Sequence, residues 1–123
     1  NKYMRRFAWD LTKICAQWNA LTVRLMLAAR KDRDIVSSAS VDFLMFSGYA
    51  MMAYYWAQQA AVASEKLEAG NGAETPEFYK AKIKIADFYF ERILPRTQGH
   101  AEAMVNPSKT MMSLAPEHFS FDY

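Results

Sequence analysis

The chain has 123 residues, of which 52% are hydrophobic and 15% aromatic, with four Gly and four Pro. This composition excludes disordered and collagen-like chains, and the length predicts a single domain spanning residues 1–123. A net charge of +2 argues against nucleic acid or an anionic membrane as a partner, because these partners usually require a concentrated basic surface. The single Cys15 cannot form an internal disulfide, so we expect a cytoplasmic protein.

Residues 3–29 are predicted to form one long amphipathic helix, because apolar residues recur there at helical spacing. The predicted buried stripe includes Cys15, which is therefore expected to behave as a small buried hydrophobe rather than as a nucleophile. Its members are Tyr3, Met4, Phe7, Leu11, Ile14, Cys15, Trp18, Leu21, Leu25 and Ala29.

A second helix is predicted to begin near Ser38, with Ser37, Ser38 or Ser40 as its N-cap, and to end at the turn formed by residues 70–72. Residues 43–64 carry no charge and are long enough to cross a bilayer. Gln58, Gln59 and several tyrosines within this stretch argue against a membrane span, so we expect burial in protein instead.

This second helix lacks a polar face. Leu44, Met51, Tyr55 and Val62 mark one side, whereas the opposite side carries Phe46, Tyr49, Trp56 and Leu67. A helix that is apolar all round is normally buried all round, yet two neighbouring helices in a small bundle cover only part of it. We therefore expect something outside the chain to cover the remaining side.

A third helix is predicted from Thr75 onward, where an N-cap residue, Pro76 and Glu77 form a helix-start signal. The alternation in residues 80–85 also fits a strand, but the helical spacing on both sides favours a helix. Pro95 lies on the outer side of the apolar stripe, which predicts a kink rather than an end. The stripe comprises Phe78, Tyr79, Ile83, Ala86, Tyr89, Phe90, Ile93, Thr97, Ala101 and Met104.

The last part of the chain is predicted to contain a short helical turn and an aromatic tail. Asn106 and Pro107 repeat the cap-plus-proline signal, and the turn would run to Leu114 before Pro116 ends it. The tail side chains are expected to pack on the bundle or on a partner. They are His118, Phe119, Phe121 and Tyr123.

Groups able to perform chemistry are few, and we assign no catalytic, cofactor-binding or metal-binding residue. His100 and His118 are the only histidines, and neither has a helical partner at metal-ligand spacing. His100 falls on the apolar stripe, where a hydrogen-bonded core or interface histidine is the simpler interpretation. The carboxylates Asp87, Glu91 and Glu102 share a polar helix face and are expected to be solvated, while Asp42 has no evident catalytic partner.

Two further groups of residues have both a structural and a ligand-binding interpretation. Lys80, Lys82, Lys84, Arg92 and Arg96 fit a solvated face or a phosphate site, and the solvated face is favoured. The Met pairs at 51–52 and 111–112, with Tyr54, Tyr55 and Trp56, fit core or interface packing, or an adaptable apolar site, and packing is favoured.

The segment FYKAKIKIADFYFERILP, residues 78–95, resembles a helix in the C-terminal domain of a group of bacterial acyl-CoA dehydrogenases, the group that includes 3-methylmercaptopropionyl-CoA dehydrogenase. The helix of that family has the form Phe-Tyr-x-Ala-Lys-x-x-x-Ala-x-Phe-Tyr-Phe-Glu-Arg-x-Leu-Pro and continues through its proline. Residues 43–63 are similar to the preceding helix, and residues 114–119 to the terminal segment. Residues 1–36 match only in helical character.

The resemblance implies a parent flavoenzyme that binds FAD, oxidises acyl-CoA to 2,3-enoyl-CoA in fatty acid metabolism and forms a homo-oligomer. In that family the flavin site and catalytic glutamate belong to upstream domains, so no catalytic role transfers to any residue here. This chain, which begins with Asn and lacks a secretory leader, would be a C-terminal fragment that packs against those domains.

The sequence thus predicts an all-α antiparallel bundle of three long helices with a short C-terminal helix or tail. The expected role is non-catalytic, in packing and oligomerisation. The alternative is a stand-alone bundle that binds an acyl chain or CoA between its aromatic helices, and a membrane-associated helix hairpin is a third interpretation.

Overall fold

The computed structural model describes residues 2–120, and its elements are all helical or turns. The long helices are α1 (Lys2–Ala28), α3 (Ser40–Ala69) and α4 (Pro76–Phe88), with one turn of helix, α2 (Ile35–Ser38), between the first two. A π turn (Tyr89–Ile93) and a 3₁₀ turn (Leu94–Arg96) connect α4 to α5 (Thr97–Met104). The chain then forms α6 (Lys109–Met112) and a 3₁₀ turn (Pro116–Phe119). The prediction of an all-α bundle is confirmed.

Contacts across the bundle define an up-down-up arrangement with α3 in the middle. Tyr89 donates a hydrogen bond to the Tyr49 carbonyl (2.6 Å) and His100 contacts Asp42 (2.8 Å), so α3 runs antiparallel to the α4–α5 segment. In contrast, α1 runs parallel to that segment, because Arg6 pairs with Asp87 near its start and Gln17 with Gln98 further along.

The core forms where these three layers meet. Phe7, Phe46, Thr97 and Met104 are the largest fully buried side chains. The Phe7 ring of α1 lies 4.9 Å from that of Phe90, centroid to centroid. Around Phe46, α3 presents mainly small side chains, which lets both neighbouring layers approach it closely. These are Ala50, Ala53, Ala60 and Ala63.

The helix ends at residues 70–76 follow their predicted chemistry. Gly70 adopts a left-handed conformation (φ 64°) at the end of α3, which glycine tolerates without a steric penalty. Thr75 caps α4 by accepting a hydrogen bond from the Phe78 N–H (3.3 Å), and Pro76 occupies the first helical position. Both predictions are confirmed, as is the helical conformation of residues 80–85.

The third predicted helix continues through its proline but not as a regular α-helix. The Leu94 N–H bonds to the Tyr89 carbonyl, five residues back, in the π turn. A 3₁₀ turn containing Pro95 follows, and α5 then begins at Thr97. Since proline cannot donate a hydrogen bond, the wider and then tighter turn redistributes the backbone pairing around it.

The predicted serine N-cap of the second helix is wrong. The N-cap position is Ala39, and no side chain caps α3. α2 precedes α3 directly, the Ala39 N–H bonds to the Ile35 carbonyl, and the Phe43 N–H bonds to the Ala39 carbonyl. The hydroxyls of Ser38 and Ser40 instead donate to carbonyls in α2.

The start of the short helix after α5 was also predicted wrongly. It has Ser108 at its N-cap position and begins at Lys109, not after Asn106. The buried Ser108 donates from both its backbone N–H (2.9 Å) and its hydroxyl to the carboxylate of Asp32. A contact spanning 76 residues therefore determines this boundary, and the local cap-plus-proline signal does not.

Cys15 is exposed, contrary to the predicted burial. On α1 the buried positions are centred on Phe7, Ile14 and Leu21, each seven residues apart. Cys15 follows Ile14 directly and is rotated by about 100° from it, which places it outside the contact with the other helices.

Candidate interaction surface

The main candidate functional feature is an apolar surface on α3, here called the outer face. On a helical wheel it lies roughly opposite Phe46 and the small buried side chains. Its large side chains are between 40% and 69% exposed to solvent. They are Val41, Leu44, Met45, Met51, Met52, Tyr55 and Val62.

The outer face corresponds to one of the two apolar sides that the sequence distinguished on the second helix, without indicating which of them is uncovered. The predicted markers Leu44, Met51, Tyr55 and Val62 are exposed, whereas Phe46 on the opposite side is fully buried. The predicted markers did not include Met45, and Met52 was named only as a member of the Met pair at 51–52, although both follow a marker by one residue and stand seven residues apart. Exposed apolar surfaces of this kind are typical of interaction sites, which makes the outer face a candidate.

A second apolar surface adjoins the outer face, here called the terminal groove. It is an open groove of about 670 Å³ where the end of α1 meets α2 and the start of α3. Sequence reasoning missed it, because it requires residues from three elements to meet. Its lining consists of Thr22, Leu25, Met26, Val36, Ser40, Phe43, Leu44 and Ser47.

Polar groups in the terminal groove are few and mostly engaged. The Thr22 hydroxyl donates to the Trp18 carbonyl (2.8 Å), and that of Ser40 donates within α2. The Ser47 hydroxyl is buried and has no hydrogen-bond partner within residues 2–120. The groove therefore suits an apolar occupant with at most one polar group at this depth.

His100 forms a hydrogen-bonded pair with Asp42, as expected for a satisfied interface histidine. The distance between Nδ1 and the carboxylate oxygen is 2.8 Å, and both side chains remain about a quarter exposed. The carboxylate favours a proton on Nδ1 and links α5 to α3. The ring also lies 6.0 Å from that of Tyr49.

The basic residues of the third predicted helix do not form one cluster. The Lys82 ammonium lies over the rings of Trp56 (6.0 Å) and Phe78 (5.4 Å), against α3. Lys80 and Lys84 are exposed. Each is two residues from Lys82 along the helix, so its side chain points about 160° away from that of Lys82. This separation favours the solvated-face interpretation over a phosphate site.

The methionine pairs and the tail are mostly exposed. Met111 lines a shallow groove beside Asp42, more than two turns of α3 away from Met51. Phe119 is 65% exposed, so it does not pack on the bundle, contrary to one of the two roles expected for the tail. The predictions for Phe121 and Tyr123 lie outside the described residues.

One buried polar group belongs to the core rather than to a site. Burial raises the pKa of the Tyr89 phenol to about 12, with a smaller contribution from Tyr49. Its hydroxyl donates to the Tyr49 carbonyl, so the protonated form fits the bundle.

Neither a metal site nor a membrane-spanning helix occurs in the described part of the chain. Within residues 2–120, no three His, Cys, Asp or Glu side chains lie close enough together to hold a metal ion. Over the same residues, no helix has the combination of length and apolar character that crossing a bilayer requires.

Comparisons with known proteins show the family of the chain. The family described as "Acetyl-CoA dehydrogenase C-terminal like" matches residues 1–115. The broad-specificity linear acyl-CoA dehydrogenase FadE5 of Mycobacterium tuberculosis is 31% identical over 106 residues, which cover 85% of this chain. The matched region is only 17% of the length of that relative. The family match spans the whole bundle, and the chain therefore belongs to the acetyl-CoA dehydrogenase C-terminal-like family.

Proposed function

We propose that this chain is a non-catalytic packing and oligomerisation domain of a larger, FAD-dependent acyl-CoA dehydrogenase of the cytoplasm. The family and the similarity to a much longer acyl-CoA dehydrogenase support this proposal. The parent enzyme would oxidise acyl-CoA to 2,3-enoyl-CoA, with FAD and the catalytic carboxylate supplied by the remainder of its polypeptide.

The observation that carries the proposal is the outer face of α3. Leaving several large apolar side chains half exposed is unfavourable in water, since each half-covered side chain forgoes on the order of 1 kcal/mol. A partner surface recovers this free energy. The terminal groove adds a second apolar surface, which suits contact with the remainder of the parent polypeptide.

The described residues do not fit FAD. A dinucleotide needs donors that bind its phosphates, such as a glycine-rich loop at a helix start. The terminal groove offers three hydroxyls in an otherwise apolar lining, and Lys80 and Lys84 point away from Lys82. We therefore assign the flavin to the part of the parent enzyme outside this chain.

A pair of valines with equal exposure tests the docking role. Val62, on the outer face, and Val23, on α1, are each 54% exposed. In the parent enzyme, Val62→Glu is expected to weaken assembly and lower the thermal midpoint, because it places a charge in a buried contact. Val23→Glu should leave both unchanged. Analytical ultracentrifugation and thermal unfolding measure the two effects.

Two results would contradict the proposal. One is acyl-CoA oxidation or flavin binding by the 123-residue chain alone. The other is a parent enzyme whose assembly and thermal midpoint respond identically to Val62→Glu and Val23→Glu.

The volume of the terminal groove supports one alternative function, in which this protein itself binds an acyl chain in the groove. About 670 Å³ falls within the range of small-ligand sites. Calorimetry with decanoyl-CoA, with free CoA as control, distinguishes the two functions. Micromolar binding that is lost in Met26→Trp, which fills the groove, would favour the ligand-binding function over docking.

A further inference from the structure

We infer that the occupant of the outer face of α3 is the same face of a second copy, packed antiparallel about a two-fold axis between residues 51 and 52. This inference rests on the proposed oligomerisation function and specifies its partner. Four properties of the outer face support it, namely its spacing, symmetry, charge and area.

The spacing of the outer face suits another helix. Val41, Leu44, Gly48, Met51 and Tyr55 follow one another at alternating steps of three and four residues, and the next two steps are Gln58 and Val62. Such a repeat keeps one apolar seam facing a partner helix. From residue 41 to residue 62 the seam is about 32 Å long, or three heptads.

A second copy of the outer face is a suitable partner helix, because the face can pair with itself. Residues at equal distances from the midpoint of positions 51 and 52 meet in an antiparallel pair. Val41 then meets Val62 of the other copy and Leu44 meets Gln59, while Met51 and Met52, about 100° apart on the wheel, each stand beside their own counterpart. A contact of this kind is self-complementary and closes as a dimer.

The pairing of Gly48 with Tyr55 supports this register. They lie at the centre of the outer face, about 20° apart on the helical wheel, and are equidistant from the proposed axis. Each Tyr55 ring therefore faces Gly48 of the other copy, where the missing side chain leaves room. Within its own copy, a Cβ on Gly48 would meet no atom within 4 Å, so its own fold does not require a glycine there.

Charge and area are compatible with a stable dimer. Residues 43–64 are uncharged, so pairing two outer faces brings no like charges together along the seam. Seven large side chains at 40–69% exposure offer on the order of 100 Å² each, and up to about 700 Å² per copy. A stable interface buries about 800 Å² per partner, and Gln58 and Gln59, which lie within the outer face, help to supply the difference.

The test uses Gly48→Leu in the 123-residue chain, with Gly99→Leu as the matched control. Gly99 is also an exposed helical glycine at which an added Cβ would meet no atom within 4 Å, but it lies on α5. Both substitutions should raise the thermal midpoint of a single copy, since leucine favours helices over glycine. Gly48→Leu should raise the dimer dissociation constant at least about tenfold, while Gly99→Leu leaves it within about threefold. Sedimentation equilibrium measures both constants.

The orientation is tested with a spin label at Glu65→Cys in a Cys15→Ser background, which removes the exposed native thiol. An antiparallel pair centred between residues 51 and 52 separates the two labels by about 40 Å along the helix, whereas a parallel pair brings them within about 20 Å. Dipolar electron paramagnetic resonance measures this distance.

Three results would each overturn the inference. The first is a chain that remains monomeric at about 10⁻⁴ M. The others are equal effects of the two leucine variants on the dissociation constant and the short distance between the two spin labels. If the chain is monomeric but Val62→Glu still impairs the parent enzyme, the docking function stands and the second copy is not the occupant. If Val62→Glu has no effect on the parent either, both proposals fail.

Discussion

Replacing Phe46 by alanine tests the assignment of the two sides of α3. Phe46 is fully buried at the centre of the bundle, so its truncation removes a complete aromatic side chain from the core and leaves a cavity. Such substitutions cost about 3–5 kcal/mol, a large part of the total of about 5–15 kcal/mol for a small domain. The thermal midpoint should fall by about 10–20 °C.

Leu44→Ala is the matched control, because Leu44 lies two residues away on the same helix and is 69% exposed. In a single copy it should change the free energy of unfolding by less than about 0.5 kcal/mol. Urea unfolding followed by circular dichroism measures both variants. A protein concentration below about 10⁻⁶ M favours single copies over dimers during the measurement. A cost of less than about 1 kcal/mol for Phe46→Ala, or an equal cost for Leu44→Ala, would show that the two sides of α3 are assigned wrongly.

Three further substitutions test individual contacts. Thr75→Ala removes the side-chain cap of α4 and should lower the free energy of unfolding by about 1 kcal/mol in urea titrations. Tyr89→Phe removes the hydrogen bond to the Tyr49 carbonyl and should cost about 0.5–1.5 kcal/mol at neutral pH. Because the folded pKa of Tyr89 is raised to about 12, its contribution is complete below pH 10 and is lost as pH rises towards 12, so Tyr89→Phe should flatten that decline. Asp32→Asn replaces the carboxylate that accepts two hydrogen bonds from Ser108 with a weaker acceptor. The same two hydrogen bonds lower the pKa of Asp32. The stabilisation by Asp32 is present above its ordinary pKa of 3.8 and is lost as pH falls below it, so the variant should unfold with a weaker dependence on acid.

Conservative variants provide the controls for these three substitutions. Thr75→Ser should retain the cap, and Tyr54→Phe, at an exposed position, should retain the alkaline decline of the wild type. Asp34→Asn should keep the acid dependence, because the Asp34 carboxylate does not bind Ser108. If any control behaves like its test variant, the contact in question does not account for the effect.

Much of the fold follows from local sequence. The amphipathic repeat of α1, the Thr75–Pro76 start of α4 and the left-handed Gly70 are decided by side-chain periodicity and backbone sterics within a few residues. The apolar character of both sides of α3 is also local information. It predicted an uncovered apolar side before any packing was known, and Leu44 and Val62 are indeed exposed.

The features that sequence reasoning missed depend on residues far apart in the chain. The α6 start at Lys109 is set by Asp32, and Cys15 is exposed because the axis of α1 presents Ile14, not its neighbour, to the other helices. The π turn at Tyr89–Ile93 lies just before Pro95, which has no backbone N–H to donate, and within this turn Tyr89 donates its hydroxyl to α3.

The sequence by itself determined three long helical segments, two of their ends and a middle helix without a polar side, because propensity, capping and periodicity act between neighbouring residues. Only the tertiary structure decided which side of that middle helix is buried, where the terminal groove opens and which carboxylate anchors α6. These outcomes depend on how α1 and the α4–α5 segment pack on α3, and that packing is a balance of contacts between distant residues.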